Sequence, residues 1–258
     1  MAIESLGNTA LEELNQALCD DHALREYKLP YDSYKPALFP RILGTFLVVC
    51  GNLVYGKKPS YLKFRAVEVI ARVPYHSWEH AAFTLLTFFY TDEKRALKLS
   101  RTSRYVRTAQ ENETMHVIVI SQLAATHERA GFVRHTCIPL GFAFFYFAAS
   151  YVLYLIRPRW SYELNYLFES HAFSQYDAFL KDRTEELKKA PILSDFLTQY
   201  GRNPISQYDF FTSVRNDEII HRNESIHNID LVDDARRTRT IHVGMGILVL
   251  CLALFLLA

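Results

Sequence analysis

No sign of charge dominates this chain of 258 residues. Its 29 Lys and Arg are matched by 28 Asp and Glu, interspersed without a tail of either kind, so no global field argues for nucleic acid or for an acidic partner. Cysteine is scarce as well. Cys19, Cys50, Cys137 and Cys251 lie far apart without a CxxC pair, which excludes a disulfide framework and a zinc signature and predicts buried, reduced thiols. The sequence also lacks alternating strand patterns joined by glycine-based hairpin turns, internal repeats and low-complexity segments. Its acidic N-terminus has neither the cationic start and apolar core of a secretory signal nor the Arg/Ser richness of a transit peptide. The expected location is therefore the cytoplasmic face of a bacterial-type plasma or thylakoid membrane, without a cleavable targeting peptide.

What the chain has in abundance is apolar surface. Half of its residues are hydrophobic, with 18 Phe and 16 Tyr, ample for a buried core. In YLKFRAVEVIARV, ENETMHVIVISQLAATHE and FFTSVRNDEIIHRNESIHNI the apolar residues recur at three- and four-residue intervals, and the fold class read from them is all-α. Three stretches are more uniformly apolar. Residues 42–55 are uncharged but give only about 21 Å of helix, short of a bilayer core. Residues 137–156 are uncharged and flanked by Arg134, Arg157, Arg159 and Trp160. They are long enough to span, while Pro139, Gly141 and the aromatic load also suit a helix lying in the interface. Residues 243–258 follow Arg236, Arg237 and Arg239 and read as a C-terminal tail anchor, with residues 1–240 on the cytoplasmic side. No chain of ionisable residues lies inside these stretches, so nothing points to a proton pump. The expected organisation is an N-terminal segment 1–36, a main domain 37–230 and a hydrophobic anchor 240–258.

Two segments carry Glu-x-x-His, namely Glu113-Thr-Met-His116 and Glu218-Ile-Ile-His221. Residues three apart on a helix share a face, so carboxylate and imidazole can reach one metal ion together. Each motif follows a lone glutamate in an apolar helix, Glu68 lying 45 residues before Glu113 and Glu169 lying 49 residues before Glu218. One Glu from each of two helices and Glu-x-x-His from each of two others is the ligand pattern of ferritin-like di-iron bundles. Four carboxylates converging in an apolar interior require compensating charge. With two imidazoles they suit iron or manganese. A third match, Glu224-Ser-Ile-His227, begins six residues after Glu218 and is turned about 120° around the helix. Ile219 and Ile220 favour the earlier pair as inward, whereas Arg222, Asn223 and Ser225 accompany Glu224 and read as a polar face. On pattern alone, a surface role for each Glu-x-x-His stays open.

In order and detail, VEVIARVP, NETMH, FESHAFSQYD and RNDEIIH resemble the successive signatures of the alternative oxidases, closest to the plastid terminal oxidase (plastoquinol oxidase) branch, over residues 60–227. The resemblance implies a monotopic, ferritin-like four-helix di-iron bundle with additional membrane-interface helices, to which this chain adds the tail helix. It implies two iron ions held by Glu68, Glu113, His116, Glu169, Glu218 and His221. It further implies oxidation of a quinol, plastoquinol or ubiquinol, with reduction of O2 to water and no proton pumping. The family's tyrosine near the metals falls on Tyr176, which also lies two turns after Glu169 on the same face. A redox role and simple packing are both open for it. Asn112 and Asp217, each beside a ligand, match positions that orient the histidines.

The quinol contacts carried over are Lys63, Val67, His171, Ala172 and Gln175. Here the chain departs from the family, for Lys63 stands where an arginine is usual. NETMH likewise replaces NERMH, and Glu169-Ser170-His171 replaces the three glutamates of the mitochondrial branch. The partners implied are quinol, O2 and a lipid membrane, with a second copy of the chain as an option and no nucleic acid. A di-iron hydroxylase or desaturase acting on a lipid or quinone precursor would use the same ligands, and a non-catalytic metal-binding membrane scaffold is the other alternative.

Overall fold

The computed structural model describes residues 8–234, which form helices and no strand. The expected all-α class holds, and the tail anchor expected at 240–258 lies outside the described residues. The chain runs through α1 (Thr9–Ala17), α2 (Asp21–Asp32), α3 (Leu38–Tyr55), α4 (Tyr61–Ala71), α5 (Val73–Phe89) and α6 (Glu93–His127). A π-helical turn, Val133–Cys137, leads into α7 (Ile138–Ile156), α8 (Pro158–Asp182), α9 (Thr184–Lys189), α10 (Asp195–Tyr200) and α11 (Gln207–Asp234).

Local chemistry sets the boundaries that matter for the centre of the molecule. Ser60 starts α4 by accepting the amide of Lys63, and Asp92 starts α6 by accepting that of Arg95, each satisfying a donor that the first turn leaves over. Pro74 has no amide hydrogen and separates α4 from α5 at Arg72, so that two segments act as one bent rod.

Two aromatic cores fix the directions of the helices. One contains Phe64, Val119, Phe179 and Phe211; the other contains Trp78, Val106, Tyr162 and Ile226. The α4–α5 rod and α11 therefore run from the first core to the second, and α6 and α8 run back. Since α6 and α8 point the same way, the chain must return between them, and α7 is that crossover. A four-helix bundle with one long crossover is the ferritin-like arrangement.

The outer helices cover opposite sides. α1 and α2 lie on α11, while α3 lies on α8 and α7 on α4 and α5. α3 and α7 are long and apolar enough to cross a membrane by length and composition. Most of that surface is uncovered: α3 exposes Ile42, Phe46 and Leu53, and α7 exposes Phe144, Phe145 and Ile156. The expectation that the first apolar stretch is too short to span is corrected. Its helix begins at Leu38 with Pro40 tolerated in the first turn, and 18 residues give about 27 Å. The thiol expectation is corrected too, for Cys19 and Cys137 are exposed and Cys50 is half-buried. Cys50 and Cys137 ride on the two apolar segments whose outer surfaces the bundle leaves bare.

Gly44 is where α3 comes close to α8. A Cβ added there would lie 3.1 Å from Leu167 Cδ1 and 3.4 Å from Leu164 Cδ1, whereas one added at Gly141 meets nothing within 4 Å. Gly44→Val is expected to lower stability by about 1–3 kcal/mol through overpacking, and Gly141→Ala to leave it unchanged or raise it. Thermal unfolding of the detergent-solubilised variants measures both.

Candidate metal centre

Each of the four central helices brings one part of the sequence constellation to the space between the two aromatic cores. Glu68 comes from α4, Glu113 and His116 from α6, Glu169 from α8, and Glu218 and His221 from α11. All six are buried. Their donor atoms form two overlapping groups, each within 4.8 Å: Glu68, Glu113, His116 and Glu218 in one, and Glu113, Glu169, Glu218 and His221 in the other. Glu113 and Glu218 belong to both groups.

The polar atoms of this cluster behave as ligands rather than as hydrogen-bonding groups. Both oxygens of Glu113 and of Glu218, Oε2 of Glu68, Nδ1 of His116 and both ring nitrogens of His221 are buried without a hydrogen-bond partner. Buried polar atoms left in this way are costly. His116 Nδ1 lies 3.4 Å from Glu113, 3.6 Å from Glu68 and 3.6 Å from Glu218. Its Nε2 lies 2.9 Å from Asp217 Oδ2. An ionised Asp217 can only accept, so Nε2 carries a proton, and Nδ1, on the carboxylate side, is the nitrogen that a metal would take in exchange for its proton. His221 Nδ1 lies 2.8 Å from Glu113 Oε1, an ion-pair contact without the alignment of a hydrogen bond.

Electrostatics make the same demand. Burial pushes Glu68 up to about 7, with the charge of Glu113 adding to the rise. Burial, then the charges of Glu113 and Glu169, push Glu218 well above the usual carboxylate range, and burial raises Glu169. For Glu113 burial also pushes upward, but His116 and His221 outweigh it and hold the group at about 2. Four carboxylates in so small a dry volume cannot all ionise unaided. Hard cations would satisfy both the charge and the orphaned atoms, and the oxygen-rich donor set with two imidazoles fits iron or manganese.

Tyr176 donates to Glu68 Oε1, and Asn112 donates to Asp217 Oδ2 at 3.1 Å. Tyr176 thus meets Glu68 rather than the Glu169 from which its spacing was counted, and Asn112 reaches His116 only through Asp217. The competing motif does not join the cluster: Glu224 is half-buried and His227 exposed. One reason given for preferring Glu218 is corrected, because Arg222, Asn223 and Ser225 are buried. Arg222 pairs with Asp32, Asn223 donates to the carbonyl of Tyr27, and Ser225 accepts from Asn165. Helix α2 covers two of these three, so polarity along α11 does not mark a solvent face. The sequence reading missed Tyr75, whose hydroxyl donates to Glu169 Oε1 at 2.7 Å, and Arg202, which pairs with Asp217 at 2.7 Å. VPYHSW looks like an ordinary aromatic segment and GRNP like a turn, and neither carries a local signal of such a partner.

A cavity of about 220 Å3 adjoins the cluster. Glu68, Glu169 and Tyr176 form its inner wall, α3 and α7 its outer walls, and Lys63, Val67, His171, Ala172 and Gln175 all line it. Lys63 Nζ donates to Gln175 Oε1 at 2.8 Å, to Asn52 Oδ1 at 3.0 Å and to the carbonyl of Lys57 at 3.2 Å. Burial, then the charge of Lys63, lowers His171 below its ordinary value, leaving a neutral ring at pH 7.

The model of the alternative oxidase family matches residues 49–230. Among characterised proteins, the chain is 28% identical over 182 residues to ubiquinol oxidase 4, chloroplastic/chromoplastic, of Arabidopsis thaliana, covering 63% of this chain and 49% of that protein. The chain thus spans about half the length of the curated relative it matches. No solved structure matches the chain.

Chelation is expected to leave a protein whose stability falls as pH rises from about 5 to 7. Glu68 binds its proton up to about 7 in the folded chain, against an ordinary 4.5, so the folded state holds protons that the unfolded state has released and loses stability as they leave. Glu169 and Glu218 act with the same sign, and His116 and His221, both raised, continue it upward. Reloading with Fe(II) displaces those protons and flattens the slope. Thermal unfolding at pH 5.5 and 7.5 reads the difference, and identical slopes with and without metal would count against these carboxylates as ligands.

Proposed function

Because this chain belongs to the alternative oxidase family, we propose that it is a membrane-bound, non-haem di-iron quinol oxidase: two quinols yield two quinones, and one O2 becomes two waters. The observation that carries the reading is the cavity joining the bare apolar helices to the Glu68–Tyr176 edge of the carboxylate cluster. A quinol whose isoprenoid tail stays in lipid needs such an entrance, and a soluble substrate does not.

In this reading Glu68, Glu113, His116, Glu169, Glu218 and His221 hold the metals, and bound iron supplies the capacity to accept the quinols' electrons and pass them to O2. The remaining work falls to the chain. α3 and α7 lie in one leaflet with their bare faces toward lipid, and the two aromatic cores keep bulk water from the cluster. The neutral ring of His171 and the amide of Gln175 face the cavity and bind the quinol hydroxyls, and His171 accepts a proton as the quinol is oxidised. Lys63 has all three ammonium donors occupied, so it positions Gln175 rather than touching the quinol. Tyr176 holds a proton against Glu68 between the cavity and the metals. The reaction does not pump protons, since α7 and the part of α3 beyond Arg41 contain no Asp, Glu, Lys, Arg or His to carry them.

Purified, iron-quantified protein given ubiquinol or plastoquinol is expected to consume O2 in the presence of cyanide, forming two quinones per O2 and no oxygenated or desaturated organic product. Uptake abolished by cyanide, or absent with iron bound, would overturn the oxidase. Oxygen incorporated into an organic product would identify a hydroxylase instead. Lys63→Ala is expected to raise KM for the quinol about tenfold, by freeing Gln175. Tyr176→Phe should instead lower kcat at least about tenfold with iron content unchanged.

A further inference from the structure

We infer that α1 is a working part of the metal centre: Asn15 and Glu12 are positioning residues that fix Asp217, directly and through Arg202, and thereby hold the His116 ring against the carboxylates. The inference rests on reading His116 as a metal ligand, and it concerns a helix that lies outside the family match to residues 49–230.

Asp217 accepts from side chains of three different parts of the molecule. On Oδ2 it takes His116 Nε2 at 2.9 Å, Asn112 Nδ2 at 3.1 Å and Arg202 Nη1 at 2.7 Å. On Oδ1 it takes Asn15 Nδ2 at 2.6 Å and Arg202 Nη2 at 3.3 Å. Asn15 therefore supplies the short bond on the oxygen that His116 does not use. Without it that oxygen keeps only the long contact, and the carboxylate can turn about its anchored Oδ2. The same Asn15 amide also donates to the carbonyl of Ser213 at 2.7 Å, which ties it to the first turns of α11.

Glu12 acts one bond further out. Arg202 presents a fork to it, Nε to Oε2 at 2.9 Å and Nη2 to Oε1 at 2.6 Å, while the other edge of the guanidinium meets Asp217. The cation thus lies between two carboxylates. With Glu12 present, Arg202 is held in place and its charge is shared, so Asp217 keeps negative charge for the imidazole N–H. Such charge on the partner of a ligand histidine raises the basicity of its metal-binding nitrogen.

Docking of α1 does not need this network. Leu11, Leu14 and Leu18 already pack it against Ile219 and Ile220 of α11, and an apolar residue at position 15 would seat the helix without the expense of burying an amide. Asn15 is nonetheless 2% exposed, with both contacts directed at the backbone and side chain of the segment that presents Glu218.

The test uses the full chain in detergent, stripped with chelator and titrated with Co(II), whose visible absorption reports its ligands. Asn15→Leu, which keeps the branched outline of the side chain and removes the donor, is expected to weaken Co(II) binding about 10- to 100-fold and to change the spectrum. Glu12→Gln, a near-isosteric change at the rim of the network, should weaken it several-fold. Leu14→Ala loosens the apolar packing of the same helix and should lower Tm with Co(II) affinity and spectrum unchanged. Wild-type affinity and spectrum in both Asn15→Leu and Glu12→Gln, whatever their Tm, would overturn the inference. Failure of the wild-type protein itself to bind Co(II) would overturn the metal centre on which it rests.

Discussion

Four carboxylates sharing a space closed to water set the terms for everything around them. Ionised together they repel, and protonated together they leave acidic groups without partners. Neither state is comfortable in an apolar bundle. The fold meets this by supplying contacts on the outer side of three of the six side chains. Tyr176 takes one oxygen of Glu68, Tyr75 one oxygen of Glu169, and Asp217 the far nitrogen of His116. The inner atoms are left for cations. Helix directions follow from the same need, because one glutamate at mid-height on each of four rods converges only if the rods are packed side by side with their aromatic cores above and below.

The bundle is also two-sided. On the side of α4 and α8, α3 and α7 cover these helices with aliphatic and aromatic side chains, and the cavity reaches Glu68 and Glu169 from there. On the side of α11, α1 and α2 cover them with Asn15, Glu12 and Asp32, in hydrogen bonds and ion pairs with Asp217, Arg202 and Arg222. The apolar side can admit a lipid-borne substrate because it asks for no hydrogen bonds along the way. The polar side can hold a histidine rigidly because its bonds are directional. In the proposed function, substrate entry and ligand orientation would fall to opposite faces, and neither would compromise the other.

The pattern of the ligands was legible in the sequence because it is periodic and local. A Glu-x-x-His is a property of one helical turn, and two of them, each a hairpin's length after a lone glutamate, need no knowledge of tertiary contacts to be noticed. The bare apolar helices were legible for the same reason. What remained hidden depends on residues distant in the chain. Asn15 meets Asp217 across 202 positions and Arg202 meets Glu12 across 190, and nothing near either residue advertises the partner. The same blindness explains the misreading of Arg222, Asn223 and Ser225. A polar run on a helix signals solvent only when no other element lies over it, and here α2 and the start of α8 do.

Lys63 shows how one substitution at a site can alter a role while leaving the cavity's shape. A guanidinium offers five N–H donors in a planar fork, and an ammonium offers three. An arginine that met Asn52, the carbonyl of Lys57 and Gln175 would still have donors to aim into the cavity. Lysine exhausts its donors on those three acceptors. The ammonium therefore becomes a strut joining α3, the turn after it and α8, and the polar groups left to face a quinol belong to Gln175 and His171. Because that strut ties an apolar helix to the helix carrying Glu169, a displacement of α3 would be felt in the wall of the cavity.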